Sequence, residues 1–201
     1  MNDITSDKTV KLTSPVDIGV IRVTLAAGTK PADAVLLQNG CTGHIRSIVV
    51  ETWVGDGIHI NAGCHDLEID NIHVVCYDKP AGKHQDGVQV MGGKGVHVHA
   101  GFISALSANN SQAMIHTGAG GQQVPEDVIF DNLTVDPRGA GSYGLSNGEG
   151  IACGFTNITM LSRSNNHDLY QGLGTKNPQW SFVSLPPGVR SNFDRSQYPG
   201  G

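Results

Sequence analysis

Apolar and polar residues alternate along much of this chain in short runs that repeatedly close on glycine. The chain reads Asp56-Gly57-Ile58-His59-Ile60-Asn61-Ala62-Gly63, then Asp86-Gly87-Val88-Gln89-Val90-Met91-Gly92-Gly93. The same frame fits Asp33-Ala34-Val35-Leu36-Leu37-Gln38-Asn39-Gly40, Ser111-Gln112-Ala113-Met114-Ile115-His116-Thr117-Gly118 and Gly141-Ser142-Tyr143-Gly144-Leu145-Ser146-Asn147-Gly148. In each octad the third and fifth residues are mostly apolar and the fourth and sixth are mostly polar or mixed. This is the period-two signature of a strand with one buried face, ended by a turn residue.

A second strand is predicted after each first one. Ile45-Arg46-Ser47-Ile48-Val49-Val50, Ile69-Asp70-Asn71-Ile72-His73-Val74, Phe130-Asp131-Asn132-Leu133-Thr134-Val135 and Phe155-Thr156-Asn157-Ile158-Thr159-Met160 align without gaps. Val98-His99-Ala100-Gly101-Phe102 fits with one extra residue, read here as a bulge. Asn71, Asn132 and Asn157 share one column, where an Asn at a bend can bond backbone groups of its neighbours. Octads begin roughly 20 to 30 residues apart, the spacing of solenoid coils, and their strands are too short for helical repeats.

On these octads and the Asn column, residues 30–162 resemble the pectate-lyase-like superfamily. The resemblance implies an all-β, single-stranded, right-handed parallel β-helix, with about five clear coils between capping segments. Residues 1–32, with Val10-Lys11-Leu12 and Val20-Ile21-Arg22-Val23, are expected to form opening coils or a cap. The β-helix is placed at 33–162. The segment 163–201, with Trp180, Phe182 and Phe193, is expected to be a cap or docking tail, because a solenoid needs its open end covered.

Composition narrows the class. A chain of 201 residues fits one domain with a continuous core. Only 15% of residues are charged, and 27 are Gly, so the polar surface rests largely on Ser, Thr, Asn, Gln and His. A net charge of -5 with 13 Lys and Arg leaves no basic stripe for a phosphate backbone, so nucleic acid is not an expected partner. No long apolar run or signal-like N-terminus is present, so no membrane association is expected. Cys41, Cys64, Cys76 and Cys153 match neither a zinc site nor a disulfide scaffold and are expected to be buried thiols. Cys41 and Cys64 should stack on consecutive coils, as a reduced ladder or a disulfide.

Stacked strands lie about 4.8 Å apart, so the chemistry belongs to columns. On the outer face of the first sheet one column reads Leu36, His59, Gln89, Met114, Gly144 and its neighbour Gln38, Asn61, Met91, His116, Ser146. His59, Asn61, Gln89, Met91 and His116 are the candidate substrate-binding residues. Amides and imidazoles suit sugar hydroxyls, and thioethers can lie under a sugar ring. The alternative is a plain solvated sheet face. The superfamily resemblance favours function, since there the substrate groove follows this sheet.

Asp56 and Asp86 open adjacent coils and, with His84 on the loop Tyr77 to Gln85 just before Asp86, are the candidate catalytic acid–base groups. Asp before Gly is equally an ordinary turn residue. His97-Val98-His99 puts two imidazoles on one face, but the column Arg46, Asp70, His99, Asp131 alternates in sign and gives His99 a structural partner. Neither a metal nor a cofactor is therefore expected. The motifs that carry catalysis in related polygalacturonases and pectate lyases are missing, so the resemblance transfers no catalytic set.

Two readings stay open. One is a protein engaging a surface or acidic polysaccharide or oligosaccharide, with a leaning towards lyase or glycoside hydrolase activity. The other is a non-catalytic phage tail module or adhesin packing on other virion subunits or on copies of itself, for instance as a trimer. Either fits a virion or extracellular location.

Overall fold

The computed structural model describes residues 2–77, 85–106, 111–117 and 123–194. The chain is an all-β parallel solenoid of about six turns, with no helix among the described residues. Seven strands form the first sheet: β2 (Val10–Leu12), β4 (Val35–Leu37), β6 (Ile58–Asn61), β8 (Val88–Met91), β11 (Ser111–His116), β14 (Tyr143–Asn147) and β16 (His167–Gln171). Ten form the second: β1 (Asn2–Ser6), β3 (Pro15–Leu25), β5 (Thr42–Thr52), β7 (His65–Cys76), β9 (Lys94–Val98), β10 (Gly101–Ala105), β12 (Glu126–Asp131), β13 (Leu133–Val135), β15 (Gly154–Met160) and β17 (Gln179–Ser184). Each turn contributes one rung to each sheet, and the second-sheet rung is split in two in the fourth and fifth turns.

The octads become the first-sheet rungs. Val35, Ile58 and Val88 pair in register, and Leu37, Ile60 and Val90 form the next inward ladder; all are buried. They face Ile45, Ile69, Val98, Phe130 and Phe155 from the second sheet, so one apolar column runs through the stack. Burying each large side chain contributes about 2 kcal/mol, which is what closes these short strands into a spiral. Gly57 and Gly87 follow the Asp because the backbone is tight there. A Cβ on Gly57 would stand 2.4 Å from Val74 Cγ1 and 2.5 Å from the Gly87 carbonyl oxygen.

Register departs from the sequence reading at two places. Ala113 pairs with Leu145 and Met114 with Ser146, so the Gly141 octad is displaced by two residues from its assigned frame. A two-residue displacement leaves every side chain on its own face, so alternation alone cannot detect it. The proposed bulge is absent: Val98 pairs with Ile69, Gly101 with Ile72 and Ile103 with Val74 at one constant offset. Gly101 simply occupies an apolar column where a Cβ would meet Ile72 Cγ1 at 2.4 Å.

The Asn column works differently from the expected backbone bonding. Asn132 and Asn157 adopt left-handed backbone, at φ 52° and 54°, which Asn tolerates better than most residues. The Asn157 side-chain amide donates to Asp131 Oδ1 at 2.8 Å.

Beyond Ser162 the stack continues: β16 pairs in register with β14, and β17 pairs with β15. Aliphatic filling gives way there to rings, with Phe130 on Phe155, Phe155 on Trp180, and Trp180 on Phe182 and Phe193. The fully buried Asp168 carboxylate accepts from the Ser164 and Arg190 backbone amides at 2.8 Å and from the Arg163 and Arg190 Nε at 3.3 Å. Burial opposes its ionisation, but the Arg190 and Ser164 donors and the Arg190 charge outweigh it and hold its pKa below the usual carboxylate value.

Candidate functional site

The outer face of the first sheet carries the strip. Its central column is Lys11, Leu36, His59, Gln89, Met114, Ser146 and Tyr170, each paired with the next. Asn61, Met91 and His116 follow one another in the column beside it. The five proposed substrate-binding residues therefore lie on one continuous surface, all half-buried. Gln89 reaches Met114, its Nε2 standing 3.6 Å from the sulfur. Ser146 belongs to the column of Met114 and not, as the octad frame had it, to that of His116.

Along one edge of the strip runs the corner column that begins each octad. Asp56 Oδ1 accepts the Asp86 backbone N–H at 2.7 Å, and Asp86 Oδ1 accepts the Ser111 N–H at 2.6 Å. Each carboxylate thus caps the amide that opens the next rung. Asp86 is fully buried, which commits it to this structural task, while Asp56 keeps a narrow opening to solvent at 12% side-chain exposure. His84 lies outside the described residues.

A third carboxylate joins this edge. Asp33 Oδ2 stands 3.0 Å from His59 Nδ1, and Asp56 Oδ2 stands 4.0 Å from the same nitrogen. Asp33, Asp56 and His59 each bring a ligand-type atom within 4.8 Å of the others, so these three could hold a metal ion. Their hydrogen bonding satisfies the same proximity without one. Burial, then the Asp86 charge, with a smaller contribution from Asp33, pushes the Asp56 pKa up to about 7 against the pull of the Asp86 amide and His59. Burial depresses His59, but the Asp33 hydrogen bond and the surrounding carboxylates prevail and raise its pKa. The edge therefore holds groups able to exchange protons near neutrality.

At its far end the strip opens into a hollow of about 320 Å³ lined by Met114, His116, Thr117, Tyr143, Ser146, Gly148, Glu149 and Tyr170. Tyr143, His167 and Tyr170 form a triangle of rings, with centroid distances of 5.9 Å from Tyr143 to His167, 5.1 Å from Tyr143 to Tyr170 and 6.4 Å from His167 to Tyr170. The Thr117 hydroxyl is buried without a hydrogen-bond partner among the described residues. Sequence reasoning missed Asp33, Tyr143, Glu149 and Tyr170. Asp33 was legible, since it opens the first octad in the column of Asp56. Tyr143 was hidden by the two-residue frame displacement, and Tyr170 lies on a strand beyond the assigned end of the repeat.

The second sheet's outer face is a ladder of imidazoles and carboxylates. His99 Nε2 meets Glu68 Oε2 at 2.5 Å, so its partner is Glu68 and not a residue of its own column, as its alternating charges had suggested. His97 lies between Glu68 and Asp127, 3.3 Å from each, and His44 contacts Asp70 at 2.7 Å. All four cysteines are buried free thiols, and Cys41 and Cys64 lie near enough to influence each other's ionisation. The chain matches no protein family, no curated protein and no solved structure with which it was compared.

Proposed function

We propose that this protein engages a polysaccharide along the outer face of its first sheet, from the Asp33–Asp56–His59 edge to the hollow between Met114 and Tyr170. The observation that carries the reading is the hollow itself, where tyrosine rings, a thioether, an imidazole, hydroxyls and one carboxylate line about 320 Å³. Sugars present exactly two kinds of surface, apolar C–H faces and hydroxyl edges. Aromatic and thioether groups pack on the first, and imidazole, hydroxyl and carboxylate groups bond the second. A column of His59, Gln89 and Met114 leads into the hollow, so successive sugar units would meet successive rungs.

Chain cleavage would fall to the edge. Asp56, with a pKa of about 7 and a narrow path to solvent, is the group able both to give and to take a proton, with Asp33 and His59 beside it. Likeness to the polysaccharide lyases and hydrolases of the pectate-lyase-like group rests on the solenoid alone, which supports a substrate class only by analogy.

Calorimetric titration with a broad set of oligosaccharides tests the reading. Tyr170→Ala should weaken binding about tenfold, close to 1.4 kcal/mol, with little change in unfolding temperature. Shortening of a bound polymer, abolished in Asp56→Asn, would mark a depolymerase; binding without shortening would mark an adhesin. A panel with no binder removes the proposal.

The assembly reading draws on a separate observation. Leu161 and Val183 expose 58% and 67% of their surface at the C-terminal end of the stack, where a virion subunit or a second copy could cover them. It predicts that Val183→Asp disrupts an oligomer in sedimentation while leaving any glycan affinity unchanged.

A further inference from the structure

We infer that the hollow takes a neutral hexose unit presenting two adjacent hydroxyls, and that it rejects uronate units. This rests on the reading of the strip as a glycan face and narrows it to a substrate class. Among the described residues, Glu149 is the only charged residue that lines the hollow, and no Lys or Arg lines it. Among the described residues, the cations at this end are Arg138, Arg163, Lys176 and Arg190: Arg163 and Arg190 are held by the buried Asp168, Arg138 pairs with Asp136, and Lys176, whose backbone N–H bonds the Gly150 carbonyl, does not line the hollow. The cation of the central column, Lys11, stands at its opposite end, with the Leu36, His59, Gln89 and Met114 rungs between it and Ser146. Along the edge between, the charged groups among the described residues are the Asp33, Asp56 and Asp86 carboxylates with His59.

A carboxylate has two oxygens and only accepts, so its natural neutral partner is a pair of adjacent hydroxyls that donate to both. Tyr143 and Tyr170 supply the apolar surface for the ring face, and the Thr117 hydroxyl, unpartnered among the described residues, and the His116 imidazole supply further contacts for the remaining hydroxyls. A uronate in the same position would bring a second carboxylate towards Glu149 with no cation between them. Like charges a few ångströms apart repel, and because Glu149 is exposed the repulsion is screened by solvent and salt.

The test is a crossed design with two ligands and two proteins. A neutral hexose oligosaccharide and a uronate oligosaccharide of equal length are titrated into the wild type and into Glu149→Gln. In the wild type the neutral ligand should bind at least tenfold more tightly than the uronate. In Glu149→Gln the neutral ligand should weaken severalfold, because its charge-assisted bonds are lost, and the uronate should strengthen. Added salt should tighten the uronate alone, by screening the repulsion. Equal wild-type affinities, or a Glu149→Gln variant that moves both ligands in the same direction, overturn the inference and leave the glycan face standing. Failure of both ligands, together with silence across the broader panel, overturns the glycan face and the inference with it.

Discussion

Asp56 shows how one side chain can serve folding and chemistry at once. Its Oδ1 holds the Asp86 amide, while burial and neighbouring carboxylates raise its pKa from 3.8 to about 7. The folded state therefore binds this proton more tightly than the unfolded chain does. Stability from this group is full below the unfolded value and is lost as pH rises from there through about 7. The ionised form then costs on the order of 4 kcal/mol. Asp56→Asn keeps an acceptor for the Asp86 amide and removes the charge. It should unfold at higher temperature than the wild type at pH 8, with the gap closing towards pH 4. A gap that stays constant across this range would show that the carboxylate is not titrating as described. The sequence made Asp56 conspicuous through its octad. Asp33 was legible in the same octad position, but its contact with His59 was not, because the two meet by side-chain direction at a corner, where strand alternation no longer says which way a residue points.

At the scale of the strand, the second-sheet rung bends at its Asn. Asn157 combines a left-handed backbone with a 2.8 Å bond to Asp131 Oδ1, and Thr156 Oγ1 donates to the same oxygen at 2.6 Å. Asn157→Ala loses the bond and strains the backbone, whereas Asn157→Gly loses only the bond. Denaturant unfolding should place the Gly variant about 1 kcal/mol above the Ala variant. Equal stability would mean that the bend exacts no conformational cost. The existence of these rungs was legible because alternating Ile, Val and Phe fix which face is buried. Their exact partners were less so. The Gly141 octad shifts by two residues without exposing one apolar side chain, and that shift moves Ser146 beside Met114.

Across the whole molecule, each coil is stabilised by its neighbours. The last described turn holds the Phe155–Trp180–Phe193 stack and Asp168 with its two arginines. Asp168→Ala removes the acceptor of six hydrogen bonds from Arg163, Ser164 and Arg190, and because both arginines keep more than a third of their side chains in solvent the loss should be about 2 to 3 kcal/mol. Hydrogen exchange should accelerate first in β16 and β17 and barely change in β5 and β7, because contacts in a solenoid are between adjacent turns. Uniform acceleration would indicate that the turns unfold as one cooperative unit.

The sequence by itself determined that the chain coils. Period-two alternation and a recurring glycine are local properties, and apolar strands of that spacing can bury their faces only against one another. It also determined that His59, Asn61, Gln89, Met91 and His116 share a surface, since those octads stack in the frame they were read in. Only the tertiary structure decided which groups meet across turns: Asp33 with His59, Glu68 with His99, and Tyr143 with Tyr170. Those meetings depend on side-chain direction at corners and on register between distant coils, and neither is encoded in the alternation of any single strand.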